Sequence, residues 1–533
     1  MVFILHRYVF REVFKVFILA TVALTLMMSL GSILRPVQEY GVGPRQVVHL
    51  MGYFLPITLT FVLPMAALFA SALVYGRLAN DNELDACRAS GVSLLTLVYP
   101  GLALAIMVAI ANLLLSFYVM PAFVHRAEKS LKDDARQILF RNIQQKGYYT
   151  LPGGRWRIYA DNADFKNNIL SGVVAAEVRK DAIGKIITAE DAKVTFDPHE
   201  MFNEVRITAH NTNQMGSDEK GGFAAEWGSI TAEFGSLLGD KIKFKKIDEM
   251  KEIRLDPMRF YPVAKLARQI YTRFTAELLA QDISTKISDK SGGRYRLYSH
   301  SRFVEVRADH CSVRNDVQVV LSDNVVVMEY DLQTGQAPRV LRCSRAFIEI
   351  EGNELAPTLT LDMRNAAWQT EQGTENLLSR YIIRGLVVPE AVSGRFKTAN
   401  VLAEIQPDAV SSALAGGASK QLTDMLDEMR RTLGNTFAEI DAEMHSRLVF
   451  GIGCITLIMI GIGLGIVLRG GHLLTAFAAS VIPAMVLVLC IMMGKNIATN
   501  PGSQALSGIG LMWAGLAVLS VSAIELYRRL LRH

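Results

Sequence analysis

Residues 51–76 read MGYFLPITLTFVLPMAALFASALVYG, without an Asp, Glu, Lys, Arg or His. A helix needs about 20 mostly apolar residues to cross the hydrocarbon core of a bilayer. The stretch therefore predicts a membrane span, and it has company. Val16–Leu34, Val92–Val124, Leu448–Leu468, Leu473–Gly494 and Ala505–Ile524 are further runs without a charge. Six spans are expected, three before and three after a long polar middle. The composition agrees: of 533 residues 50% are hydrophobic and 20% charged, against roughly 45–50% and 25% in soluble proteins. No cleavable signal peptide is expected, because Met1–Lys15 is too long and aromatic for an n-region and no small-residue site follows.

Charge is distributed unevenly. Residues 1–123 hold 7 basic and 5 acidic side chains and residues 447–533 hold 6 and 1, within a total net charge of +5. The membrane parts are thus basic and the middle slightly acidic. No basic run interleaved with aromatics occurs, which excludes a nucleic-acid partner. Basic residues near span ends favour both termini inside: Arg7, Arg11 and Lys15, then Arg77 and Arg88, then Arg469, then Arg528, Arg529 and Arg532. In a bacterial cell this places the chain in the inner membrane and its middle in the periplasm.

The expected fold is an α-helical membrane protein with six transmembrane helices (3+3) and a large β-rich, jellyroll-like middle domain with a helical insertion. The domains are 1–125 (spans one to three), 126–406 (β domain), 407–446 (linker and amphipathic helix) and 447–533 (spans four to six). Short runs such as Arg157-Ile158-Tyr159-Ala160, Val194-Thr195-Phe196 and Lys241-Ile242-Lys243-Phe244 read as strands. From Pro257 to Ala280 the apolar spacing turns helical, through Phe260, Val263, Leu266, Ile270 and Phe274. An insert near 257–290 is preferred over a separate second β unit. Strands resume from Arg294 to about Trp368, where Ser322-Asp323-Asn324 signals a turn between two apolar runs. Residues 407–418 read as a linker, followed by an apolar helical face from Leu422 to Met444.

Between spans two and three lies Gly76-Arg77-Leu78-Ala79-Asn80-Asp81-Asn82-Glu83-Leu84-Asp85-Ala86-Cys87-Arg88-Ala89-Ser90-Gly91. The spacing predicts a short acidic helix near 80–91, capped by Asn80 with Glu83 completing a capping box, and ended by Gly91 in the left-handed conformation. Such a helix either sits solvated as a loop or inserts into a groove on a partner, where a carboxylate meets an arginine.

This segment, with Pro64-Met65-Ala66-Ala67-Leu68 before it and the opening Arg7-Tyr8-Val9-Phe10-Arg11-Glu12-Val13-Phe14-Lys15, resembles the LptF/LptG (YjgP/YjgQ) permeases of the lipopolysaccharide-export ABC transporter. The resemblance implies a permease that pairs with a second LptF/LptG-type permease, or with itself as a homodimer. It also implies a cytoplasmic LptB-like ABC ATPase that grips the short helix. Lipopolysaccharide or a related lipid would enter between the permeases and pass to a periplasmic jellyroll and lipid-carrier protein. By that likeness Glu83 docks the ATPase, with Asp81, Asp85 and Arg88 beside it, and Arg35 meets lipid headgroup phosphates. Arg35 is equally an ordinary interfacial anchor. Family members are usually shorter, so the middle carries an insertion.

Absent motifs narrow the chemistry. No G-x-x-x-x-G-K-[ST], H-E-x-x-H, C-x-x-C or G-x-S-x-G occurs, so no catalytic residue, metal site or cofactor is expected and ATP hydrolysis falls to a partner. The spans hold no ionisable residue, which argues against an ion-coupled transporter. Cys311 and Cys343 are the two cysteines placed to pair in an oxidising compartment, and their spacing leaves the pairing open. Gly461-x-x-x-Gly465 in span four suits close helix packing, within the chain or between copies. The rival function classes are a membrane-anchored scaffold or sensor, and an ABC permease that acts mechanically without carrying lipid.

Overall fold

The computed structural model describes residues 2–532 except 41–43, 134, 152–153, 155, 180–181, 199–202, 217–222, 235–239, 288–292, 300, 315–316, 333–337, 352–357, 370–374, 394–416, 418, 469–472 and 501–504. It divides into two compact units, Met1–Tyr261 with Gly434–His533, and Pro262–Leu433.

In the first unit, α1 (Val2–Tyr40), α2 (Pro44–Asn80), the short α3 (Glu83–Ala89) and α4 (Leu94–Leu114) come first. A π-helical stretch (Leu115–Val119) carries α4 into α5 (Met120–Asp133), and α6 (Ala135–Lys146) follows. Strands β1 (Tyr148–Thr150), β2 (Trp156–Asp164), β3 (Ile169–Arg179), β4 (Ala182–Pro198), β5 (Asn203–Gly216) and β6 (Phe223–Phe234) then form one antiparallel sheet in sequence order. Leu139, Phe140 and Ile143 of α6 pack with Ile158, Leu170, Val194 and Ile207 in its core. A 3₁₀ turn (Ile242–Phe244), where a strand was expected over 241–244, leads into α7 (Ile247–Leu255). Lys241 and Lys245, which flank the turn, are extended, and neither is paired in a sheet among the described residues.

The second unit opens with α8 (Tyr261–Ile287), and continues with β7 (Tyr295–Tyr298), β8 (Arg302–Arg307), β9 (His310–Val313), β10 (Val319–Asp331), β11 (Arg339–Glu351), β12 (Thr358–Gln369) and β13 (Glu375–Val387). These strands form a second sheet in the order β13-β12-β11-β10-β8-β7, with β9 on β10. The helical stretch preferred as an insert into one β domain therefore stands between two separately hydrogen-bonded sheets. The first sheet follows chain order, while in the second β10 pairs with β8 and β9 joins β10 beside that path; together they make the middle of the chain β-rich, as expected. The turn expected at Ser322-Asp323-Asn324 is a bulge inside one long strand: Asp323 and Asn324 are left-handed (φ 62 and 49) and β10 pairs with β11 on both sides of them.

A one-turn helix, α9 (Glu390–Ser393), follows, and the linker expected over 407–418 lies outside the described residues except at Gly417 and Ser419. The chain then runs through α10 (Lys420–Val467), α11 (Leu473–Thr499) and α12 (Ala505–Arg532). Ser419 caps α10, its hydroxyl accepting from the Leu422 amide, and it donates to the buried Glu277 that also pairs with Arg273 at 2.8 Å.

Among the described residues, six helices are long and apolar enough to cross a membrane. Leu19 (72%), Met27 (74%) and Val521 (65%) are exposed on them, more apolar surface than a water-facing protein displays. Lipid takes the place of water there, so helices pack through small residues and close contact rather than hydrophobicity. In α2 the buried Ala66, Ala67, Ala70 and Ala72 supply that flat surface. Gly461 and Gly465 of α10 meet it: a Cβ on Gly465 would lie 2.6 Å from the Ala72 carbonyl oxygen and 3.0 Å from the Gly76 nitrogen. The Gly461-x-x-x-Gly465 surface is thus spent within the chain.

Candidate functional site

The short acidic helix forms, with different ends from those expected. α2 runs helically through Asn80, so its side chain is not placed to cap, and no capping box with Glu83 exists. Instead Asn82 turns the chain in the left-handed conformation (φ 58) at the N-terminus of α3, without a side-chain cap. Asn tolerates that conformation better than most residues. The other end matches expectation: Gly91 is left-handed (φ 84), its amide donates to Arg88, and the Val92 amide reaches back to the Cys87 carbonyl. That pair of bonds is the Schellman arrangement.

Within α3, Leu84 is buried (5% exposed) and fixes the helix to the bundle. Glu83, Asp81 and Arg88 are exposed and Asp85 is half-buried. The helix therefore presents charge outward from an apolar anchor. Leu84 shares its core with Val9 and Val13 of α1, Leu78 of α2, Leu94 and Leu97 of α4 and Ile466 of α10. α2 and α4 thus pack directly against the short element, and α1 and α10 belong to the same core. At this end Glu12 of α1 binds Arg77 at 3.1 Å and Lys15 at 2.8 Å. Tyr75, fully buried, donates to the Leu97 carbonyl (2.9 Å) and accepts from the Gly101 amide (3.2 Å). Its hydroxyl sits between two groups that would otherwise pair along α4, a recognised cause of local helix deformation.

A family model described as "Lipopolysaccharide export system permease LptF/LptG" matches residues 7–304, more than half of the chain. The chain belongs to the LptF/LptG family. Its members are permease subunits of lipopolysaccharide export. The matched region takes in the first three spans, α3, the whole first sheet and α8. A search of curated proteins found no match.

As an LptF/LptG permease the chain has further notable side chains. Arg35 lies in α1, with its side chain outside the described residues. At the end of the bundle remote from α3, a buried ionic cluster escaped sequence reading. Arg447 of α10 binds Glu443 at 2.9 Å, and Lys495 of α11 binds the same carboxylate. The Arg447 guanidinium also donates to the carbonyls of Ser116 (3.0 Å) in the π-helical stretch and of Lys243 (2.8 Å) in the 3₁₀ turn. One side chain thereby joins α10 and the π-helical stretch to the connection leaving the first sheet. The i, i+4 spacing of Glu443 and Arg447 was the available signal. Burial, then the charge of Lys241, pushes the nearby Lys243 ammonium below its usual range, and Glu443 pulls it back.

All five cysteines are free thiols. Cys311 lies opposite Leu321 and Cys343 opposite Val325, on either side of the bulge in β10. Burial pushes their thiols up, to about 12 and about 11. Among the described residues no group of His, Cys, Asp and Glu is arranged to hold a metal ion.

Proposed function

We propose that this LptF/LptG permease takes lipopolysaccharide or a related amphipathic lipid from the inner membrane. It passes the lipid to its own periplasmic β-rich region, driven by a separate cytoplasmic ABC ATPase. The observation that carries this is α3: a short helix with outward Glu83, Asp81 and Arg88, anchored by Leu84 in a core shared with α1, α2, α4 and α10. A force applied to such a helix passes directly to α2 and α4 and, through the core they share, to α1 and α10, because packed interiors transmit displacement instead of absorbing it. A simple membrane anchor has no use for that arrangement.

In this reading the ATPase grips α3, with Glu83 docking into it and Asp81, Asp85 and Arg88 completing the contact. Closure of the ATPase rocks the spans and drives lipid outward. Both termini and α3 face the cytoplasm in this reading, which the basic residues at span ends support. A second LptF/LptG-type permease, or a second copy, completes the lipid path. Arg35 contacts the headgroup, and a periplasmic carrier receives the lipid.

The test is purification of tagged protein from its native membrane in a mild detergent, with mass spectrometry of co-purifying proteins and lipids. Recovery of an ATPase, a second permease and a lipid is expected, and Glu83→Ala should lose the ATPase while keeping the fold. Recovery without any ATPase, in a detergent that preserves other ABC complexes, would favour the scaffold reading.

A further inference from the structure

The short helix α3 joins α2 to α4, and just beyond it one side chain ties those two long helices together. Tyr75, near the end of α2, is fully buried. Its hydroxyl donates to the Leu97 carbonyl of α4 at 2.9 Å and accepts from the Gly101 amide at 3.2 Å. In an uninterrupted helix the Gly101 amide pairs with the Leu97 carbonyl, four residues back. The hydroxyl is therefore inserted into one rung of α4.

The rung before it is weak for another reason. Pro100 lies inside α4 and has no amide to offer the Thr96 carbonyl. Two consecutive rungs are thus compromised, one lacking its donor and the other sharing both its groups with Tyr75. A proline and an inserted side chain are each recognised causes of a helix bend, and here they fall on adjacent residues. The surroundings are tight. A Cβ on Gly101 would lie 3.0 Å from the Tyr75 hydroxyl oxygen and 2.4 Å from Cδ1 of Ile462, which is buried on α10. Next to Tyr75, a Cβ on Gly76 would lie 3.5 Å from the Gly465 carbonyl oxygen of α10. α2, α4 and α10 therefore meet where α4 is weakest along its own axis.

We propose that Tyr75 is the positioning residue through which displacement of α3 sets the bend of α4. While the hydroxyl holds both groups, α4 is open at this step and follows α2. When α2 and α4 part, Leu97 and Gly101 pair directly and α4 straightens. Both arrangements satisfy the backbone, so the step has two discrete states that a force on α3 can bias. The second leaves the buried hydroxyl without these partners, which makes the first the resting state. A change of about 20°, the scale of a sharp kink, acting over the roughly 20 Å of helix from Gly101 to Leu114, moves the far end of α4 by about 7 Å. The two-state step stands on the contacts of α2 and α4; its part in transport rests on the reading that an ATPase grips α3.

The test reads the distance between spin labels at Leu55→Cys on α2 and Leu114→Cys on α4, both exposed positions, in a parent protein whose native cysteines are replaced by alanine. The complex is purified from its native membrane and measured with and without a non-hydrolysable ATP analogue. The analogue should shift the distance by several ångströms in the parent, and Tyr75→Phe should lose that shift. Without nucleotide, the resting distance of Tyr75→Phe should already be displaced. The variant keeps the ring and lets Leu97 pair with Gly101, so it should assemble and melt like the parent. Tyr527→Phe removes a hydroxyl that donates to the Met459 carbonyl of α10 at 3.1 Å and should leave both readings unchanged. Should Tyr75→Phe fail to fold, Pro100→Ala, which returns an amide to α4, should reduce the shift, and an unreduced shift would overturn the proposal. So would an equal shift in Tyr75→Phe and parent, no shift in the parent complex, or an undisplaced resting distance. If no ATPase accompanies the parent, the export reading fails, and the resting distance in the permease alone decides: displacement by Tyr75→Phe supports the two-state step and an unchanged distance overturns it.

Discussion

Replacing Arg447 by Met removes a guanidinium that is 4% exposed and binds Glu443, Ser116 and Lys243 at once. The Met side chain fills similar space and keeps the contact with the Phe117 ring, over which the guanidinium sits at 5.6 Å. What is lost is therefore electrostatic. Breaking a buried ion pair from one side costs about 3–5 kcal/mol, because the remaining charge keeps its desolvation penalty. Two part-buried carbonyls lose a donor as well, but Lys495 still neutralises Glu443, so the range is not exceeded. For a cooperative unit this large, each kcal/mol lowers the melting temperature by roughly 2 °C. Arg447→Met should thus melt about 6–10 °C below wild type in detergent, followed by tryptophan fluorescence. Arg447→Lys should recover only part of the loss, since one ammonium cannot reach carbonyls in two separate segments and a carboxylate together. If Arg447→Met melts within 2 °C of wild type, or Lys rescues fully, the cluster does not hold these segments and the reasoning fails.

Other expectations follow from the same contacts. Gly465→Ala should cost about 1–3 kcal/mol, the scale of overpacking, because its methyl would meet the Ala72 carbonyl at 2.6 Å; a denaturation midpoint equal to wild type would show that α2 and α10 have room to part. Leu84→Ala should loosen α3 by about 2–3 kcal/mol, visible as faster amide exchange confined to residues 83–91. Burial would raise the Glu305 carboxyl, but hydrogen bonds from Arg296 and Arg294 outweigh it and hold it below its usual value. Its contribution is therefore present above the ordinary carboxylate value and lost as pH falls through the lowered one. The melting-temperature gap between wild type and Glu305→Gln should be constant near neutrality and close in acid; a gap that persists unchanged into acid would contradict it. Cys311 and Cys343, with thiols pushed up by burial, should resist maleimide at neutral pH until the protein is denatured.

What could be read from the chain is local. Six uncharged runs announce six spans because crossing a bilayer is a requirement on consecutive residues. Gly91 announces the end of α3 because a left-handed residue is a property of one position. The start of α3 was misjudged at Asn80, since whether a helix stops there depends on the packing of α2 rather than on the cap residue. The sheets were legible as strands but not as two separate ladders, because pairing links positions on different strands.

The features on which the larger claims rest belong to tertiary structure alone. Arg447 finds Ser116 across 331 residues of chain and Lys243 across 204, and no local pattern encodes such a partner. Tyr75 looks like one more residue of an uncharged run until packing sets its hydroxyl between Leu97 and Gly101. The Gly461-x-x-x-Gly465 spacing offers a close contact without saying with whom, and only the position of α2 decides it. Sequence determined which segments enter the membrane and what each can pair with; the fold decided which of those pairings are made, because burial leaves a charge or a small residue few places to be satisfied.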